Sequence, residues 1–350
     1  MRVPDEIRKS VLFIGWRGDI PEWEWRGTGY LIAVPDANHV FIDESVQHKG
    51  HTVAMVSSFP FMFLATARHV AEKIEGKEFA LRTNNRDGEI IIIRGHPEQK
   101  WWYHPTERQY VDAAVTIFFP PNLPDLDIFW VDIGMFVDAD AVAFFNLGAG
   151  DEVFMAGLFT KVLDTTKNIP IVRIGNLAMM PGEKIPYKDG KLIDAYLVES
   201  RSIGGLSGSP AFVRQTITMK GLKSDVKFNS PYHQAPSDLS TILSGVGRIF
   251  FLGSVIGHWD ADFPSGFNIP EKEVVNMGIS PIVPAHKIRE IIAQPALQEV
   301  MQEMTKEMAK MKYSGAKEDI APAKRKEDIF TQQDFEAALR KVSRKKSDRI

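Results

Sequence analysis

The sequence predicts a mainly β protein, a barrel or sandwich, followed by a helical C-terminal segment. Three observations predict it. Between residues 10 and 285, short β-branched and aromatic runs alternate with clusters of Gly, Pro, Asn and Asp, the pattern of many short strands separated by turns. Long helical periodicity is scarce in that span. Beyond Pro284 the apolar residues recur three and four positions apart, which is a helical spacing.

The strand-like runs, in order, are residues 10–15, 29–34, 52–57, 61–66, 89–94, 113–119, 152–158 and 249–256. Two polar segments, 36–50 and 214–243, interrupt them. Both read as surface loops, either lids or tolerated insertions. Residues 285–292 read as a short helix. Leu297, Met301, Met304, Met308 and Met311 then mark the a and d positions of about two heptads. So short a stripe is expected to dock on the β unit; self-association is its other use. Residues 314–328 read as a linker. Thr331-Gln332-Gln333-Asp334 resembles a capping box opening a second short helix. The chain ends in a basic run from Arg340 to Lys346, a solvated tail or a contact for an acidic partner.

Composition narrows the function. The net charge of -3 gives no pull toward nucleic acid. With no cysteine there is no disulfide, no Cys-based zinc site and no Cys nucleophile. No apolar run matches a signal-peptide core or a membrane span, so a cytoplasmic protein is expected. His48 and His51 form a loop pair without companion ligands, so no metal is expected.

The chemistry-bearing residues come as three separate signals. Gly204-Gly205-Leu206-Ser207-Gly208-Ser209-Pro210 follows an apolar run, 195–198. Acyl transfer needs an oxygen nucleophile and donors for the charge that develops on the substrate carbonyl. Glycines at 205 and 208 permit a turn tight enough for the N–H groups of Gly205 and Ser207 to point at one oxyanion. Losing one such donor typically costs about 2.7–4 kcal/mol of transition-state stabilisation. A general base must take the serine proton. Most of the nine histidines stand in polar contexts, whereas His69 ends the apolar run 61–69. A carboxylate must hold the imidazole in the right tautomer. Asp112 is a single charge at the head of the apolar run 113–119, and burying it requires a partner. Asp125, Asp127 and Asp132 compete for the role from in or beside a Pro-rich stretch.

The chain order His, Asp, Ser is that of chymotrypsin, not of subtilisin or the α/β-hydrolases. Here the sequence resembles the chymotrypsin/trypsin-like serine peptidases, and among them the disulfide-free bacterial, HtrA-like type without a PDZ domain. Their motifs are matched by Thr66-Ala67-Arg68-His69, by Asp112-Ala113-Ala114-Val115 and by Gly205-Leu206-Ser207-Gly208-Ser209-Pro210. The early strand Gly27-Thr28-Gly29-Tyr30-Leu31-Ile32 and the late Gly278-Ile279-Ser280-Pro281-Ile282-Val283-Pro284 are similar as well.

The resemblance covers roughly residues 10–292. It implies two six-stranded antiparallel β-barrels, at about 10–135 and 150–285, then a helix over 285–292 and a helical, basic tail over 293–350. It implies a serine endopeptidase with His69, Asp112 and Ser207 as triad, Gly205 and Ser207 as oxyanion hole, no cofactor, and a protein or peptide substrate. Two positions refine the expectation. Many secreted relatives carry an Asp just before the nucleophile, which pairs with a new N-terminus after activation cleavage. Leu206 stands there, so trimming is not the expected activation route. The pocket-base position falls on Arg201, which would favour an acidic residue before the scissile bond. The strand 252–256, with Ser254, would line the pocket and pair with extended substrate. A catalytically silent scaffold that binds through barrel and tail, or an esterase using the same triad, are the competing readings.

Overall fold

The computed structural model describes residues 3–18, 22–35, 41–48, 51–57, 60–120, 123–160, 166–187, 190–200, 205–215, 248–259 and 277–315; for 41–48, 51–57 and 308–315 it describes the backbone course alone. Arg201, the segment 216–247 and the predicted second tail helix lie outside the described residues.

A five-residue helix α1 (Asp5–Lys9) leads into β1 (Val11–Trp16), β2 (Glu24–Val34), the hairpin β3 (Phe41–His48) and β4 (His51–Ser57), and β5 (Phe61–Thr66). Helix α2 (Arg68–Ile74) follows, then β6 (Phe79–Asn84), β7 (Ile90–Gly95), β8 (Trp102–Tyr103), β9 (Ala114–Ile117) and β10 (Val131–Asp132). After α3 (Ala139–Phe145) come β11 (Glu152–Gly157), β12 (Ile171–Met179), the short pair β13 (Ile185–Pro186) and β14 (Leu192–Ile193), and β15 (Tyr196–Glu199). The last strands are β16 (Pro210–Arg214), β17 (Ile249–Val255) and β18 (Ile279–Pro284), followed by α4 (Ala285–Ala293) and α5 (Pro295–Gly315).

The architecture is mainly β. The second half forms one closed six-stranded barrel, in the order β11-β12-β15-β18-β17-β16. The first half is an eight-stranded sheet, in the order β7-β6-β1-β2-β5-β9-β8, with β10 pairing β2 in parallel. Of the two barrels expected, one is closed; the other half is a sheet whose described ladders leave β7 and β8 at its edges. β8 is two residues long and pairs with β9.

Strand alternation assigns the core. Val11, Phe13, Tyr30 and Ile32 face the barrel, where Phe154, Phe212 and Phe251 join them in one buried cluster. Leu12, Ile14, Leu31 and Leu64 point to the other face and meet Val70, Ala71 and Ile74 of α2. A sheet covered on both faces explains why its strands read as continuous apolar runs. Phe251 is the hub of the junction, its ring 5.3 Å from Tyr30, 4.8 Å from Phe136 and 5.8 Å from Phe212. Ile288 and Ile291 of α4, and Leu297, Met301 and Met304 of α5, complete that cluster. The heptad stripe thus docks on the β unit, as far as its side chains are described. Among the described residues no helix is long and apolar enough to cross a membrane.

Candidate active site

Strand β5 ends at Thr66, and His69 stands in the first turn of α2, not at a strand end. The helix begins at Ala67, which has no side chain to cap it. The first N–H groups of any helix lack intrahelical partners. Asp112 supplies one from outside: its Oδ1 accepts the His69 backbone N–H at 3.0 Å. Its Oδ2 meets His69 Nδ1 at 2.7 Å. One carboxylate therefore grips both the main chain and the ring of one histidine. With Nδ1–H donating to Asp112, Nε2 of the neutral ring is left as the acceptor.

Asp112 is 7% exposed, while the His69 side chain is half-exposed. Burial is the strongest single influence on the carboxyl and pushes its pKa up. The His69 hydrogen bond and charge, the His69 backbone N–H and the Arg68 cation act the other way, and the carboxyl is held below its ordinary value. Arg68 Nε lies 3.9 Å from Asp112 Oδ1, and Arg68 reaches Glu72 one helical turn on.

The Ser207 turn runs between β15 and β16 and is seated on the first sheet. Thr28 N–H donates to the Ser207 carbonyl at 3.1 Å. Thr28 Oγ1 donates to the Gly205 carbonyl at 2.8 Å. Gly208 N–H and the Ser209 carbonyl bond to Val255 at 2.8 Å each. Gly205 and Gly208 have positive φ, 99° and 82°, a region that L side chains disfavour. A Cβ at Gly208 would overlap the Thr28 carbonyl and the Thr66 hydroxyl. This close approach sets the turn directly against Thr66 and Ala67, the residues that lead into His69. Among the described residues, neither the Gly205 nor the Ser207 N–H donates a backbone hydrogen bond. The imidazole's described hydrogen bond goes to Asp112 and not to Ser207.

Leu206 is buried in the barrel core with Val153, Val213 and Leu252, so an apolar anchor stands immediately before Ser207. Ser254 is fully buried and pairs with Pro210, so it offers no surface to a ligand. The strand expected to pair with substrate is bonded to β18 through Val255 and to β16 through Ser254, and Val255 also bonds Gly208 and Ser209 of the turn. An added backbone could pair only beyond that residue. A cleft of about 510 Å³ near Asp138, Met180, Tyr196 and His286 includes none of the predicted site residues.

A metal-like grouping lies elsewhere. Ligand atoms of His104, Glu107 and Glu290 fall within 4.8 Å of one another. Lys287 Nζ already stands among them, 2.6 Å from Glu107 and 3.4 Å from Glu290. Both His104 nitrogens are engaged, by Glu290 and by the Glu107 N–H. These contacts fit a protein-internal ion cluster and not a cation cage. His48 and His51 are backbone register partners at the end of the β3–β4 hairpin.

Sequence reasoning missed two neighbours of the site, Thr28 and Arg68. Thr28 carried a signal, being a hydroxyl between two glycines at the head of an apolar strand. Such a group needs partners once buried.

No protein-family description and no curated protein matches this chain. Among solved structures it is similar to the crystal structure of Deg5, at 16% sequence identity and a TM-score of 0.33, over 59% of this chain and 75% of that one.

Proposed function

We propose that the protein is a serine endopeptidase of the trypsin-like type, with its peptidase unit over residues 10–292. One observation carries the reading: buried Asp112 bonds both the backbone N–H and the Nδ1 of His69. A buried carboxylate is stable only when paired, and this pairing leaves the other ring nitrogen ready to accept a proton. His69 Nε2 takes the Ser207 Oγ proton as Oγ attacks the substrate carbonyl carbon. The N–H groups of Gly205 and Ser207 receive the resulting oxyanion. His69 then protonates the leaving amine, the peptide C–N bond breaks, and an acyl-enzyme remains. A water molecule, deprotonated by His69, hydrolyses it and restores the serine. Arg201 selects an acidic residue before the scissile bond.

The silent scaffold is the second reading, favoured by the missing His69–Ser207 hydrogen bond. That feature weighs little alone, since catalytic hydrogen bonds are often long before substrate binds. Labelling with a fluorophosphonate decides. The wild type should label covalently and Ser207→Ala should not. No labelling of either protein, in the presence or absence of peptide, would support the scaffold; labelling of both would mean another serine is the nucleophile.

A further inference from the structure

Thr28 is fully buried and belongs to β2 of the first sheet, yet most of its hydrogen bonds leave that sheet. Its hydroxyl accepts the Leu158 N–H at 3.0 Å, across 130 residues of chain. A hydroxyl has one proton. With a lone pair taken by Leu158, that proton goes to the Gly205 carbonyl at 2.8 Å, across 177 residues. The Thr28 backbone N–H donates to the Ser207 carbonyl at 3.1 Å. Thr66 Oγ1 completes the set by donating to the Thr28 carbonyl at 2.7 Å.

We infer that Thr28 is a positioning residue for the nucleophile turn, a reading that rests on the proposed serine-hydrolase chemistry. Its two donors hold the carbonyls of Gly205 and Ser207, which flank the N–H of Ser207 along the chain. Each peptide is planar, so these bonds fix the 205–206 and 207–208 planes, which bracket the 206–207 plane that carries the Ser207 N–H. Gly205, at φ 99°, has no side chain to restrict its rotation, and its carbonyl is the one the Thr28 hydroxyl holds. The same hydroxyl ties the turn to Leu158, at the end of β11. Turn, barrel and first sheet therefore share one buried oxygen. Without it the 205–206 peptide can turn, and the Gly205 and Leu206 torsions on either side of it no longer hold the Gly205 and Ser207 N–H groups toward one point.

The test compares Thr28→Val and Thr28→Ser with wild type and Ser207→Ala. Fluorophosphonate labelling rates and turnover of a small activated ester are measured well below each protein's melting midpoint. Thr28→Val should label about ten- to a hundredfold more slowly, the range for misplacing or losing an oxyanion donor. The loss should fall on kcat while KM for the ester stays within about twofold. Thr28→Ser keeps the hydroxyl and should restore the rate. If Thr28→Val does not fold, Thr28→Ala leaves room for a water to satisfy Leu158, and the same slow labelling is expected of it.

Labelling of Thr28→Val or Thr28→Ala within about twofold of a reactive wild type would overturn the inference and leave the hydrolase reading standing. So would failure of Thr28→Ser to restore the rate, since a simple packing role would then suffice. A wild type that never labels would instead remove the hydrolase reading itself, and the inference with it.

Discussion

The two sides of the site are held by different forces. On the first sheet, His69 and Asp112 are fixed by charge and by hydrogen bonds to an ionised group, in contacts of 2.7 and 3.0 Å. Across the junction, the Ser207 turn is fixed by shape: positive-φ glycines, the buried Leu206 side chain and neutral bonds to Thr28 and Val255. Charge-assisted bonds are roughly twice as strong as neutral ones, but they depend on protonation. Packing does not titrate, yet it tolerates no added atom. The first side should therefore fail by chemistry with the fold intact, and the second by sterics with fold and activity lost together.

Asp112→Asn is the sharpest break of the first side. The amide preserves size but can donate to Nδ1, which fixes the wrong ring tautomer. In the chymotrypsin triad this change costs about 10⁴ in kcat, and a loss of that order is expected here in ester and peptide turnover. The far-ultraviolet spectrum should stay that of the wild type. Because the Asp112 carboxyl is held below its ordinary value in the folded protein, its ionised form is fully favoured above the usual carboxylate range. That contribution is lost only as the pH falls through the depressed value. An Asn variant that retains turnover within tenfold would show that the charge side is not catalytic.

Gly208→Ala breaks the second side. The new methyl meets backbone at Thr28 and the Thr66 hydroxyl, in a conformation with φ 82°. Neither the strain nor the overlap can relax without moving the turn off β2. A loss of about 2–4 kcal/mol is expected in denaturant unfolding, together with loss of labelling. Wild-type stability combined with full labelling would mean that the turn is not seated against Thr28.

These contrasts also show what a sequence displays and what it hides. The β class was legible because runs such as 61–66 and 113–119 are short, apolar and bounded by turn residues. The cost of burying a lone charge at the head of β9 called for a partner to Asp112, and the motif resemblance pointed to His69 as that partner. The start of α2 was hidden, because Val70, Ala71 and Ile74 continue the apolar run of β5 and Ala67 carries no capping side chain. The partners of Thr28 were hidden for another reason: they lie 130 and 177 residues away, and no local pattern encodes such pairings. The edge strand β8 was hidden because two residues are too few to leave a periodicity. In the tail, the spacing of Leu297, Met301 and Met304 announced a helix but not the surface that receives it.

The smallest effect tests how far the charge-held side extends. Glu107 lies in the loop that leads to Asp112, and its carbonyl accepts the N–H groups of Tyr110 and Val111. Its carboxylate meets Lys184 at 2.7 Å and Lys287 of α4 at 2.6 Å, and these bonds lower its pKa to about 2. The loop carrying Asp112 is thus tethered to α4 by a charge. A carboxyl lowered in the folded state stabilises the protein above its ordinary value of 4.5, and the benefit fades as the pH drops toward about 2. The Glu107 side chain is 26% exposed, so water screens the pair and the effect should be modest. Glu107→Gln should melt about 1–2 °C below wild type at pH 6, with the gap closing as the pH falls from 4.5 toward 2. A gap that stays constant across that range would assign the difference to packing, and the charge-held region would then stop at Asp112.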